Sequence, residues 1–443
     1  MDQATPVVDH YIAEFARMEN TLPGAVAIME QRKQALQAFT SHGFPTIREE
    51  DWKYTKLRKL QKSVFELSDT PGTVTAQTLS KHLPDDLDAH RAVVVDGYYR
   101  ADLSQLDGLP EGVHVRSFAE YLETDAEASI RHPLITDQPG SPSDMNAAFV
   151  TDGVLITVDA GVVVDKPLHV VTLATGSEEL RMAQVRHRFI LQPNSEAQII
   201  EHYVGAGEET YFTNAVTEIV THDNAQLTRC RLQEESETGG QHISSMFAHQ
   251  LRDSRVYVHS FDLGGQLARI DTNSRQVADN AEIGLYGVYA PTGRQHIDNH
   301  TRVDHTTENG ISREVFKGVV GERGRAVFNG KIVVHKYAQK TDSEQSCDTL
   351  LLSKKGEIDA KPELEIYADD VKCAHGSTVG QLDENAVFYL RSRGIGDTAA
   401  RAVLTYSFAN ELVNMLDSEA LQHHIEATLM AKLPGGDIFA TVA

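Results

Sequence analysis

Apolar residues in the first forty positions recur with the period of a helix. Ile12, Phe15 and Ala16, followed by Ala25, Ile28, Met29, Leu36 and Phe39, predict helix over 10–42, and Gly43 with Pro45 ends it. A polar stretch, PTIREEDWKYTKL, follows and holds the only tryptophan, Trp52. Further on, a strand is predicted at 92–95 and a helix near 117–122. A second short helix is predicted over 142–149, with Ser141 or Ser143 as its cap. From Val154 the helical period disappears for more than two hundred residues. Short alternating runs rich in β-branched and aromatic residues replace it, at 154–158, 188–191, 197–200, 257–261, 326–328 and 331–334. Asn329-Gly330 predicts a tight turn between the last two. After Gly394 and Gly396 the helical period returns. Asp397 is the expected N-cap, with Ala400, Val403, Leu404, Ser407, Phe408, Leu412 and Met415 on one face. Asp417-Ser418 breaks that helix. Leu421, Ile425, Leu429 and Leu433 define a second one, which Pro434-Gly435-Gly436 ends.

The strand region repeats. Turn-forming residues fall at Asp165, Asn194, Asn224, Asp253, Asn280 and Asn309, spaced 29, 30, 29, 27 and 29 apart. Lys355-Gly356 and Asn385 extend the series in a similar context. A strand-only repeat of this length favours a parallel β-helix, or solenoid, over a sandwich. Propeller blades are the competitor, but their repeats are longer and usually carry a tryptophan signature. The fold expected is therefore mainly β, in three parts. A helical and mixed N-terminal region covers 1–150, a β-helix core 151–395, and a C-terminal helical hairpin 396–443. That hairpin either caps the solenoid or presents a face to a partner.

Charge narrows the partners. With 41 basic and 64 acidic residues the formal net charge is −23, which works against nucleic acid and gives no support for anionic membranes. The three cysteines, Cys230, Cys347 and Cys373, are scattered and form no CxxC, so neither a disulfide framework nor a self-contained zinc site is expected. The first residues lack a signal-peptide pattern and no run of about twenty apolar residues occurs, so a reducing cytoplasm is expected.

Few motifs carry chemistry. There is no GxxxxGK(S/T), GxSxG or HExxH. Gly318, Gly321 and Gly324 lie between strand runs and read as solenoid turns. His296, His300 and His305, interleaved with Asp298 and Asp304, offer a metal hypothesis weaker than that of ordinary surface strand histidines. Glu363, Glu365, Asp369 and Asp370 would be needed for a polysaccharide-active β-helix enzyme, since Glu363 and Glu365 share a strand face. Strand-surface carboxylates are the simpler reading. In DDVKCAHGSTVG (369–380), Cys373 and His375 are two apart, so on a strand the thiol and imidazole stand on one face. Both can ligate iron or zinc, but two ligands are half a site at most.

The segment 314–395 carries, in order, FKG, FNGKI, AQKTD, LLLS, PELEIYADDVKCAHG and FYLRSRGI. It strongly resembles the core of the SufB/SufD family of Suf-type iron–sulfur assembly scaffolds. REEDWKYTKL at 48–57 is similar to the N-terminal signature of the SufD branch. Cys-Ala-His-Gly likewise departs from the CEHE-like stretch of SufB-type sequences, which weakens assignment to a SufB-type paralogue. The resemblance implies a right-handed parallel β-helix with helical N- and C-terminal regions. It implies pairing with SufB through the β-helices, docking of a SufC ATPase on the helices near 397–433, and sulfur supplied indirectly by a cysteine desulfurase system. A nascent iron–sulfur cluster would be shared transiently with SufB and passed on to apo-proteins. ATP hydrolysis would fall to SufC, leaving this chain a non-catalytic scaffold subunit. By position, His375 matches the family histidine at the SufB interface, the favoured cluster ligand, and Cys373 matches its neighbouring cysteine. Cys230 and Cys347 are expected to be packed strand residues. Cluster type, flavin involvement and self-pairing of the isolated chain are left open.

Overall fold

The computed structural model describes residues 6–125 and 142–434. The single helical run expected over 10–42 is two helices, α1 (Pro6–Met18) and α2 (Val26–His42). Between them Pro23 has no N–H to offer a helix, and Gly24 takes φ +125°, open to glycine alone. A 3-10 turn at Glu50–Trp52 leads to α3 (Arg58–Lys62) and α4 (Ala76–Ser80). In α5 (Phe118–Thr124) the Ser117 hydroxyl accepts from the Glu120 N–H, an N-cap. In α6 (Pro142–Phe149) Ser143 lies inside the helix, and Ser141 lies outside the described residues.

Four short strands precede the body: β1 (Glu66–Leu67), β2 (His90–Val95), β3 (Tyr98–Tyr99) and β4 (Val113–Ser117). Then come β5 (Val154–Val158), β6 (Leu168–Ala174), β7 (Arg181–Leu191), β8 (Glu196–Gly205), β9 (Tyr211–Thr221), β10 (Gln226–Glu234), β11 (Gly240–Gln250) and β12 (Arg255–Asp262). They continue through β13 (Leu267–Gln276), β14 (Glu282–Tyr289), β15 (His296–His305), β16 (Ile311–Val320), β17 (Arg325–Val334), β18 (Asp342–Leu351), β19 (Glu357–Ile366) and β20 (Lys372–Gly380). Odd-numbered strands β5 to β19 stack in parallel as one sheet, and even-numbered strands β6 to β20 as the other. The result is a parallel β-solenoid of about eight turns, as expected from the repeat.

The repeat residues work at one corner of each coil. Asn194, Asn224, Asp253, Asn280 and Asn309 all have φ between 56° and 62°, the left-handed region that Asn and Asp tolerate best. Each donates its N–H to the coil above: Asn224 to Arg252 O (2.8 Å), Asn280 to Glu308 O (3.1 Å), Asn309 to Gln339 O (2.9 Å). The side chains stack too, Asn224 Nδ2 donating to Asn194 Oδ1 and Asn280 Nδ2 to Asp253 Oδ1, both at 2.9 Å. Lys340 (φ 64°) continues the ladder, which its type concealed. Asp165 is outside the left-handed set, and Asn385 lies in a helix, so neither belongs to the series.

Asn329-Gly330 does not turn; it lies in the middle of β17. Glycine is there because a Cβ at 330 would stand 2.0 Å from Gln345 Nε2, which reaches across the solenoid interior. Gly318 likewise lies in β16, where a Cβ would meet the Tyr289 ring at 2.1 Å, whereas Gly321 and Gly324 do form the turn.

Helices cover the two sheets on opposite sides. Tyr11, Phe15, Phe39, Phe65 and Phe149 pack with Met182, Phe212 and Ile243 on the odd-strand sheet. After α7 (Glu384–Ser392), α8 (Asp397–Val413) and α9 (Glu419–Lys432) lie against Ile200, Leu232, Phe261 and Val288 of the even-strand sheet. The hairpin therefore covers a flank and caps no end. Gly396 rather than Asp397 occupies the N-cap position, and Asp397 pairs with Arg401 from inside the helix. Ala402, Thr405, Ala409, Leu412 and Val413 of α8 are buried, while Ser407 and, just beyond the helix, Met415 are exposed. Ala400 and Leu412 of the expected face are buried, and the remainder of that face is rotated from the true one. Leu421, Ile425, Leu429 and Leu433 are buried as expected, and Gly435-Gly436 lie outside the described residues.

The turn ladder makes a graded prediction. Asn280→Ala should cost about 1–2 kcal/mol, the penalty of a left-handed residue with a Cβ and no compensating side chain, and Asn280→Gly clearly less. Urea unfolding of the two variants checks this; equal losses would remove the conformational explanation.

Candidate functional site

Both sheets end at the same place. Among the described residues β19 pairs only with β17 and β20 only with β18, so the last coil has two unpaired edges there. The register fixes which way its side chains point. On β18, Ser343, Gln345, Cys347 and Thr349 are buried inside the solenoid, and their partners on β20 are Cys373, His375, Ser377 and Val379. Cys373 and His375 thus share the interior-facing side of the final strand, at the open mouth of the solenoid. His375 is exposed; Cys373 is half-buried against Ile332, Val334 and Ala368. Burial pushes its thiol up from the ordinary cysteine value.

Polar rows run up the interior to these two residues. In one, His305 Nε2 and the Ser312 hydroxyl lie 2.9 Å apart, Ser312 donates to Ser343 (2.7 Å), and Ser343 is paired in register with Cys373. In the other, Thr301 and Gln345 each donate to Glu314 Oε2 at 2.8 Å, and Gln345 is in register with His375. Glu314 is fully buried. Desolvation pushes its carboxyl up to about 7 against the two hydrogen bonds, which favour the charged form. Deeper still, Glu201 pairs with Arg229 at 2.7 Å.

Other candidates separate. His305 faces inward, while His296 and His300 flank Asp298 on the outer face, His300 at 3.1 Å. Asp298 also pairs with Arg269 (2.7 Å), whose guanidinium lies 4.3 Å from the Trp52 ring centroid and donates to Asp51 O. The REEDWKYTKL stretch is thus a clasp that fastens the N-terminal region to the odd-strand sheet. Glu363 pairs with Lys361 (2.9 Å), Glu365 with Lys331 (2.6 Å), and Asp370 with Lys340, so three of the four carboxylates of the glycoside reading, all but Asp369, are engaged with lysines. Cys230 and Cys347 are buried strand residues, as expected. Sequence reasoning missed one group, His202, Glu234 and His424, whose ligand atoms lie within 4.8 Å of one another. Separated by 32 and 190 residues, they leave no spacing to detect.

Residues 172–408 match the SufBD core domain of the SUF system for FeS cluster assembly, and residues 6–170 match the SufBD N-terminal region. The core match contains β7 through β20 and both residues at the mouth. The chain is 34% identical to the iron–sulfur cluster assembly protein SufD of Escherichia coli, over 92% of this chain and 93% of that one. The chain belongs to the SufD family. Further relatives are an iron–sulfur cluster assembly SufBD family protein of Synechocystis (30% identical, 89% of each chain) and the chloroplastic protein ABCI7 of Arabidopsis thaliana (28%, 90% and 85%). This SufD-family chain is therefore an iron–sulfur cluster assembly protein. None of its described helices is long and apolar enough to cross a membrane.

Two measurements follow from this geometry. Iodoacetamide at neutral pH should label Cys373 alone in the folded chain and all three cysteines in urea, because burial shields Cys230 and Cys347 and pushes their thiols up; mass spectrometry of the labelled peptides reads this. Glu314 binds its proton more tightly folded than unfolded, so wild-type stability should fall as pH rises from about 4.5 to about 7. Glu314→Gln removes that slope. Its stability relative to wild type should rise through this window, by at most about 3 kcal/mol, and parallel urea titrations would show otherwise if the carboxyl were ordinary.

Proposed function

We propose that this chain is the scaffold subunit of a SufB–SufC–SufD complex that assembles nascent iron–sulfur clusters and supports their transfer to apo-proteins. The observation that carries the reading is the uncapped last coil, where Cys373 and His375 stand side by side between two free sheet edges. One thiol and one imidazole cannot hold a cluster alone. A second, similar solenoid end brought against this one would complete the ligand set and satisfy the edge hydrogen bonds together.

His375 is the favoured iron ligand because it is the exposed member, and Cys373 the second candidate. The cluster is cargo shared with the SufB-type partner and not a resident cofactor. Sulfur arrives indirectly from a cysteine desulfurase system, and ATP hydrolysis belongs to SufC. The α8–α9 hairpin offers its outer face to that ATPase while its inner face is fixed to the even-strand sheet. The compartment is the cytoplasm, and the division into an N-terminal region (1–150), a solenoid core (151–395) and an ATPase-docking region (396–443) follows these roles.

The test is reconstitution of the three-protein complex with His375→Ala and Cys373→Ser. His375→Ala should assemble normally yet lower cluster yield about 10–100-fold, the usual cost of losing a metal ligand or its support. Full cluster formation by that variant, followed by iron–sulfur absorbance, would sink the ligand role. Failure of the wild-type chain to co-purify with SufB- and SufC-type partners would sink the complex.

A further inference from the structure

The second cluster of metal-capable side chains lies far from the open end, where the hairpin meets the solenoid. β8 and β10 are paired so that His202 faces Leu232 and Val204 faces Glu234. Glu234 therefore stands two residues along from His202 on the neighbouring strand, and the period of two keeps both on the outer face. His424 descends from α9 onto the same spot. His202 Nε2 and His424 Nε2 lie 2.8 and 2.7 Å from the same oxygen, Glu234 Oε2. The Thr428 hydroxyl donates to the other oxygen at 2.8 Å and fixes the carboxylate plane.

The surroundings are rich in unused nitrogen. His169 is fully buried, stacks on His202 with ring centroids 5.6 Å apart, and neither of its ring nitrogens has a protein partner. His202 Nδ1 is also buried without a partner. Such groups are costly unless something beyond the side chains around them satisfies them. Lys432, a nearby cation, is already paired with Glu237. Burial pushes the Glu234 carboxyl up, but hydrogen bonds from the two histidines outweigh it and hold the group below the ordinary carboxylate range.

We propose that His202, Glu234 and His424 bind a divalent first-row transition cation, with Zn²⁺ as the reference occupant, and that this ion staples the C-terminal hairpin to the solenoid. Two imidazoles and one carboxylate with open positions are an ordinary donor set for Zn²⁺ and Fe²⁺. Bonds of about 2.0–2.2 Å to each ligand require the present nitrogen–oxygen contacts to widen by only about half an ångström. With its proton on Nδ1, which has no partner, His202 would ligate through Nε2 as a neutral imidazole. Side-chain exposure of 12% at Glu234 and 20% at His424 leaves an entry path, while His202 is sealed. The site shares no residue with Cys373 or His375 and stands whether or not those two hold a cluster.

The full chain, stripped with EDTA, is titrated with Co²⁺ and then with Zn²⁺. One equivalent of Co²⁺ should bind with ligand-field absorption typical of nitrogen and oxygen donors and no thiolate-to-metal band. Zn²⁺ should displace it and raise the unfolding temperature. Glu234→Gln and His424→Gln, both close in shape to the native residues, should each weaken binding at least about tenfold with unchanged circular dichroism. The Cys373→Ser/His375→Ala double variant should bind as wild type does. Absence of binding at micromolar metal, equal affinity in His424→Gln, or a thiolate band lost with Cys373 would each overturn the proposal.

Discussion

Everything in this molecule hangs on the stacking of one coil upon the next in strict register. A parallel solenoid has no hairpins to fix alignment locally, so each strand takes its register from its neighbours. The corner ladder from Asn194 to Lys340 supplies the missing fixed points. Each left-handed residue donates its N–H to the residue just before the next coil's corner residue, ending with Lys340 on Asp370 at 2.7 Å. A slip by one residue would turn every inward side chain outward and would take the Asn and Asp residues out of the left-handed corners that suit them. Because satisfaction passes from coil to coil, the last coil is necessarily unsatisfied. The open end is thus a consequence of the same rule that builds the body.

Register also explains why a polar chain of contacts can exist inside the solenoid. Thr301, Glu314 and Gln345 come from three different strands and meet because stacked positions repeat at each coil. Burying such groups is expensive unless they are paired, and here the pairing depends on Gly330 leaving room across the interior for Gln345. A glycine that looks like a turn in sequence is in fact a vacancy for a neighbour's side chain. The same in-register relation carries the row up to His375, two coils from the Glu314 carboxyl.

The solenoid was legible because its corner residues are chemically special and evenly spaced; asparagine advertises a left-handed corner even without its neighbours. Lys340 performs the same job with a residue type that advertises nothing. The docked face of α8 was legible only in part: Ala400 and Leu412 are buried as their spacing predicts, but Ala402, Thr405 and Ala409 are buried too, while Ser407 remains in solvent. At the mouth, Cys373 and His375 could be placed on one face from their spacing alone. Their inward direction could not, since that needs the pairing of β20 with β18. His202, Glu234 and His424 were illegible for a deeper reason: they are neighbours only after register and hairpin docking are both set.

The two free edges at the open end are chemically unequal, and that inequality bears on how a partner can approach. β19, EIDAKPELEI, carries five charged residues... four acidic and one basic, together with Pro362, which has no N–H to give. Charge and proline are the usual defences of an edge strand. β20, KCAHGSTVG, has no acidic residue, no Lys or Arg after Lys372, and no proline. Its backbone can accept a further strand along its whole length, and its Val379 is about half exposed, at 49%. Strand addition at this end is therefore directed to the even-numbered sheet. A strand laid on β20 in register would extend the interior rows by one more position, directly beside Cys373 and His375. The charges and proline of β19 work against indiscriminate stacking, and the undefended edge of β20 would direct an added strand to the side of Cys373 and His375.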